Sequence, residues 1–237
     1  MKKGAQITWL GHSTFRLETP GGKKVLFDPW VSGNPKCPAS ERKVSRVDVM
    51  AISHGHFDHI HDAVPIAKEH EPEIVCIWEI GAFLEKRGAK NVRAMNKGGT
   101  QSVAGLSFTM VHADHSCGLQ DEEGNILYGG EAAGYVLRLE DGRSIYYAGD
   151  TNVFSDMELI AELYRPDVAM IPIGDHFTMG PREAAKAVRL IGAKTVIPMH
   201  WGTFPLLTGT PAKLRELTRD IPDLTIVEMA PGVPAPL

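Results

Sequence analysis

Short runs rich in Val, Ile, Leu and aromatic residues, bounded by Gly, Pro and Asp, recur along the chain and predict β-strands. The clearest cover 6–10, 15–18, 24–27, 47–53, 74–77, 106–112, 135–139, 144–147, 168–173, 195–199 and 225–228. Helical spacing appears between some of them, at 62–70, 79–87, 155–164, 181–191 and 211–219. The strongest helix has Pro181 in its first turn and an apolar stripe of Ala184, Ala187, Val188 and Ile191. Glu140-Asp141-Gly142-Arg143 separates two strand patterns and reads as a hairpin turn. Asn96-Lys97-Gly98-Gly99-Thr100 lacks phosphate-loop spacing and reads as an ordinary turn before a strand. Gly88–Met95 and Gly192–Met199 echo one another, each a helix exit followed by a strand, as two related halves would give. No low-complexity linker divides these elements. Residues 1–237 therefore read as one domain, with a loosely held tail at 230–237, where three of eight residues are proline.

Composition narrows the class. The chain is 43% hydrophobic and 23% charged, as ordinary globular proteins are, and 237 residues can bury a sizeable core. Its formal net charge of −4 disfavours nucleic acid as a partner held by a general positive field. The first residues carry two lysines but no apolar stretch of a secretory signal, and no apolar run approaches the roughly 18 residues of a membrane span. Three cysteines, Cys37, Cys76 and Cys117, are too few and too odd for a disulfide framework. These features together predict a soluble, cytoplasmic α/β enzyme acting on a small molecule, with self-association left open. The unusual count is histidine, at ten.

Several of those histidines crowd into Ser53-His54-Gly55-His56-Phe57-Asp58-His59, directly after a strand pattern. Three imidazoles and a carboxylate within six residues are costly as packing, because each buried polar group needs a partner. They make sense as metal ligands, since imidazole nitrogen and carboxylate oxygen suit zinc and similar divalent ions. On a helix His54 and His56 would point about 200° apart, so a turn leaving a strand is the better platform. There His54 and His56 can converge on one ion while Asp58 and His59 face a second. Further ligands stand after later strands: His115, Asp150 and His200. Polar groups leaving several strand ends make a common rim, where α/β sites are assembled.

The order HGHFDH, then His115, then Asp150 in AGDT, then His200 resembles the metallo-β-lactamase superfamily of metal-dependent hydrolases, over about residues 7 to 202. Trp9-Leu10-Gly11-His12-Ser13 and the segment 173–181 are similar to a narrower branch, small metal-dependent hydrolases related to L-ascorbate-6-phosphate lactonases. The resemblance implies a four-layer αββα sandwich, two mixed sheets flanked by helices. It implies two divalent ions per chain, zinc foremost with manganese or iron as alternatives. His54, His56 and His115 would hold one ion, Asp58, His59 and His200 the other, with Asp150 bridging. His112 and Cys117 compete with His115 for its place; His115 heads the His-Ser pair such sites show, and His112 continues the inward alternation of Phe108 and Met110. One departure is Ile60-His61-Asp62, which sets a bulky imidazole where relatives carry a small residue.

Such a centre hydrolyses an ester, lactone, thioester or phosphoester through a hydroxide held between the ions, with Asp58 and Asp150 as the catalytic carboxylates. The cluster keeps net positive charge, which favours an anionic substrate. His12, Asp175 and His176 are candidates for contacting substrate or supporting the ligands, while His61 and His70 read as surface or helix-end residues. Two other readings stand beside this one: a phosphodiesterase acting on nucleotides or RNA, and a metal-binding module without turnover.

Overall fold

The computed structural model describes residues 4–237; the two leading lysines, Lys2 and Lys3, lie outside it. Two seven-stranded sheets form the centre. In the first, β1 (Gln6–Trp9), β2 (Phe15–Glu18) and β3 (Lys24–Phe27) are antiparallel neighbours. β4 (Val49–Ala51), β5 (Glu73–Ile77) and β6 (Val92–Met95) extend it in parallel from β3. In the second, β7 (Thr100–Val103), β8 (Leu106–His112), β11 (Ala133–Arg138) and β12 (Ser144–Tyr147) are antiparallel, and β13 (Val168–Pro172), β14 (Thr195–Met199) and β15 (Thr225–Ile226) continue in parallel. β9 (Gly118–Gln120) and β10 (Ile126–Tyr128) make a separate hairpin.

The helices are α1 (Phe57–Ile60), α2 (Ala63–His70), α3 (Trp78–Lys86), α4 (Met157–Tyr164), α5 (Pro181–Ile191) and α6 (Pro211–Leu217). α3 packs on β5 and β6; α5 packs on β13 with α4 and α6 beside it. Ala184, Ala185, Ala187, Val188 and Ile191 form the buried face of α5, and Gly192 in a left-handed conformation closes it. Strands covered on both sides read as unbroken apolar runs: every residue of β4, β12 and β13 is buried. Between the sheets lies one contiguous core in which Phe27 stacks on Tyr147 with ring centres 4.7 Å apart. This is the αββα arrangement, two mixed sheets with flanking helices. No helix of the described residues is long and apolar enough to cross a membrane.

The structure departs from the sequence reading in several places. The tail is not loose: β16 (Pro234–Pro236) pairs with β1, and Leu237 N–H donates to Ala5 O at 3.0 Å. Proline blocks helix but tolerates an edge strand, so a proline-rich tail can close a sheet. The strand expected at 47–53 shortens to Val49–Ala51, because the chain leaves the ladder to form the histidine turn. The β9–β10 hairpin was not anticipated; its strands have three residues each, and all of β10 is exposed. His112 is exposed rather than inward, since β8 ends there and its imidazole lies 3.2 Å from Lys97 Nζ.

Candidate metal centre

The topology explains why distant residues meet. β1 and β3 run the same way through the intervening antiparallel β2, and β4 follows β3. β8, β12 and β14 likewise share one direction in the second sheet. Each of these six strands sends a polar residue out of its C-terminal end: His12, Asp28, His54, His115, Asp150 and His200. Open sheets place sites at that edge because the loops there are free to carry side chains inward.

The turn after β4 carries His54 and His56 as expected, but Asp58 and His59 sit on α1, a single helical turn with His56 at its N-cap. Ligand atoms gather in three groups, each within 4.8 Å: His54, His56 and His115 in one, His12, Asp58, His59 and His200 in another, and Asp28 with His54 and His59 in a third behind them. Asp150 stands between the first two. Its Oδ2 lies 2.9 Å from His200 Nε2, 3.3 Å from His59 Nε2, 3.7 Å from His115 Nε2 and 3.9 Å from His54 Nε2. Cys117 turns away, donating from Sγ to Gly129 O at 3.1 Å, and His61 is exposed off the cavity.

Asp28, which the sequence reading missed, organises the imidazoles. It is fully buried at φ 43° and accepts from Ser53 N–H at 2.7 Å, Ser53 Oγ at 2.5 Å and His59 Nδ1 at 2.6 Å. The Tyr147 hydroxyl also lies 2.7 Å from Asp28 Oδ2. Because Ser53 Oγ donates its proton to Asp28, it accepts from His54 Nδ1 at 2.9 Å. Both His54 and His59 therefore carry a proton on Nδ1 and turn Nε2 toward the cluster. That is how metal-binding histidines are oriented. The signal in sequence was an Asp directly after β3, indistinguishable from a turn residue until the sheets close.

His12 is equally buried, at φ 57°, and its Nε2 lies 2.8 Å from Asp58 Oδ2 with Nδ1 3.0 Å from Thr203 Oγ1. The hydroxyl proton fits Nδ1, leaving Nε2–H to donate to Asp58 and fix its carboxylate. His200 is left-handed at φ 54° and donates from its backbone N–H to His12 O at 3.0 Å. Its carbonyl approaches Gly174 so closely that a Cβ there would meet His200 O at 1.9 Å, so only glycine fits. Asp175 does not line the cavity; its Oδ1 accepts from His176 N–H at 2.7 Å and shapes the loop, whereas His176 lines the cavity wall.

Electrostatics follow from burial. Burial pushes His54 well below the usual imidazole value, His56 and His115 below it, and His12 down to about 4, with neighbouring imidazoles adding to the effect. These rings are neutral at pH 7, with lone pairs free for ligation. Burial opposes charge on Asp150 too, but His200 and His59 hold its carboxyl well below the usual range. Burial would lower His59, yet Asp150, Asp28 and Asp58 raise it well above. Those carboxylates favour positive charge at this point, whether a proton or a metal ion supplies it. His59 Nε2 and Asp150 Oδ1 are buried without a hydrogen-bond partner, which a bound cation would satisfy. The donor set fits divalent ions.

Above the cluster opens a cavity of about 870 Å³, with His56, Asp58, His115, Asp150 and His200 along its floor. A model of the beta-lactamase superfamily domain matches residues 23–201. A UPF0173 metal-dependent hydrolase of Koribacter versatilis is 57% identical over 97% of this chain and 97% of its own length. One from Archaeoglobus fulgidus is 44% identical, over 96% of each chain. Among solved structures, Igni18, a metallo hydrolase from Ignicoccus hospitalis, superimposes with a TM-score of 0.85 at 30% identity, covering 98% of both chains. With strand ends that assemble this histidine and aspartate cluster, and with relatives matched from end to end, the chain belongs to the UPF0173 metal-dependent hydrolases of the β-lactamase superfamily.

Proposed function

We propose that this protein is a hydrolase with two divalent cations per chain, one on His54, His56 and His115 and the other on Asp58, His59 and His200, with Asp150 between them. The observation that carries the reading is Asp150 Oδ2, a single buried oxygen within 4 Å of four imidazole Nε2 atoms drawn from both groups. When bound, such ions supply Lewis acidity and a nucleophilic hydroxide at neutral pH. Zinc suits an all-imidazole and carboxylate set, and manganese and iron share those ligands.

The chain's own groups then have separate tasks. Asp28 and Ser53 orient His59 and His54. His12 holds Asp58 at the cavity floor, where its carboxylate takes a proton from attacking water and returns it to the leaving group. The electrophile is an ester, lactone, thioester or phosphoester of a small molecule. The nucleotide or RNA alternative is weakened by a cavity lining without Lys or Arg among the described residues. Three buried cysteines, all free, suit a reducing cytoplasm.

Elemental analysis after metal reconstitution tests this. Wild type should carry close to two divalent ions, and Asp150→Ala fewer, with hydrolysis lower by orders of magnitude while the circular dichroism spectrum is retained. Protein that takes up no metal, or Asp150→Ala that keeps two ions and normal turnover, overturns the assignment.

A further inference from the structure

The walls of the cavity differ in kind from its floor. Phe57, Ile126, Phe177 and Leu206 are 54%, 71%, 52% and 53% exposed, four of the ten large hydrophobic side chains left in solvent among the described residues, and all four surround this one opening. They arrive from separate segments: α1, the β9–β10 hairpin and the loops after β13 and β14. Single exposed apolar residues are commonplace, but their convergence over a polar, reactive floor is not.

The wall is also held in place. Trp30 backs it, packing edge-on against Phe57 with ring centres 5.7 Å apart and stacked on Phe204 at 6.0 Å. Phe177 follows a tight turn in which Asp175 and His176 adopt left-handed φ of 69° and 60° in succession. That turn is tied by Phe177 N–H donating to Asp175 O at 2.7 Å and by Asp175 N–H donating to Met179 O at 3.3 Å. The lining contributes no Lys or Arg among the described residues, so an anionic group away from the floor meets no counter-charge.

We infer that the substrate is an acyl or aryl compound: a scissile carbonyl at the floor joined to a large apolar group seated among Phe57, Ile126, Phe177 and Leu206. The inference rests on the hydrolytic reading above and narrows it, setting aside sugar phosphates and nucleotides. For an ester, the oxygen of water bonds to the carbonyl carbon and the carbon–alkoxy bond breaks. One proton of that water goes to the departing alcohol; the products are a carboxylic acid and that alcohol. The apolar wall strengthens binding of the acyl chain without taking part in the bond changes.

Two measurements on metal-loaded protein test it. The first is kcat/KM for p-nitrophenyl esters from acetate to decanoate, with glucose 6-phosphate and a dinucleotide as polyanionic comparators. The second is calorimetric binding of butyrate, hexanoate and octanoate, which needs no turnover. Each added methylene should raise kcat/KM and affinity by up to about fourfold until the cavity is filled. Phe177→Ser and Leu206→Ser, both at exposed positions, should flatten that dependence, while Leu163→Ser on the outer face of α4 should not. If no ester is cleaved but carboxylate affinity still climbs with chain length, the hydrolytic reading fails and the apolar subsite stands. Dependence on chain length in neither measurement, tighter binding of the polyanions, or variants that change only self-association, overturns the inference.

Discussion

Asp28 and His59, 31 positions apart, are both fully buried and joined at 2.6 Å from His59 Nδ1 to Asp28 Oδ2. This contact sets which face His59 shows the cluster, and through Ser53 the same carboxylate sets His54. Asn at position 28 keeps the side-chain shape and tolerates the left-handed backbone, but can accept fewer of the four hydrogen bonds. Asp28→Asn should therefore lower metal affinity by about 10–100-fold, read by competition with a fluorescent chelator. Unchanged affinity would show that the Asp28 charge does not serve the ligands.

The neighbouring histidines of the β8 exit should separate cleanly. His115 lies 3.7 Å from Asp150 at the cavity floor, whereas His112 is exposed beside Lys97. His115→Ala should lose one ion and hydrolysis. His112→Ala should keep both and shift stability by no more than about 0.5 kcal/mol, as surface changes do. Parallel metal titrations and urea melts decide it, and a metal loss confined to His112→Ala reverses the assignment.

The thiols should be inert in the folded protein. Burial pushes Cys37 and Cys117 up to about 11 and Cys76 higher still. The reactive form is the thiolate, so raised values leave little of it at pH 8. Reaction with a disulfide reagent at that pH should be slow in native protein and rapid for three thiols per chain in guanidinium. Fast labelling of a native thiol would contradict the buried placements.

Removing residues 234–237 should uncover one edge of the first sheet. β1 would lose its partner β16 and expose unpaired N–H and C=O groups, a template for edge-to-edge association. The truncated chain should melt at lower temperature and show concentration-dependent growth in light scattering. A melting temperature and particle size equal to wild type would mean the tail contributes nothing to the edge.

What the sequence determined by itself is local. Alternation and apolar runs placed Phe15–Glu18, Lys24–Phe27, Leu106–His112 and Thr195–Met199 at the bounds observed, because a strand's burial pattern is written residue by residue. The proline-led stripe of Pro181–Ile191 did the same for a helix. The crowded histidines of 54–59 announced metal chemistry because no packing arrangement explains so many imidazoles in one turn. Tertiary structure alone decided the rest. Asp28 carries no local sign of its role, and His12, though a candidate in the sequence, has no partner named there; each is one polar residue after a short strand until two sheets close and bring His59 and Asp58 against them. The apolar wall is likewise invisible in the chain, since Phe57, Ile126, Phe177 and Leu206 come from four segments whose sequences would equally suit core positions. Even the proline-rich tail depended on a partner: a lone strand gains nothing until β1 offers its free edge. Propensity and pattern act over a few residues, whereas a site's geometry depends on contacts across the whole chain, which only the folded sheets supply.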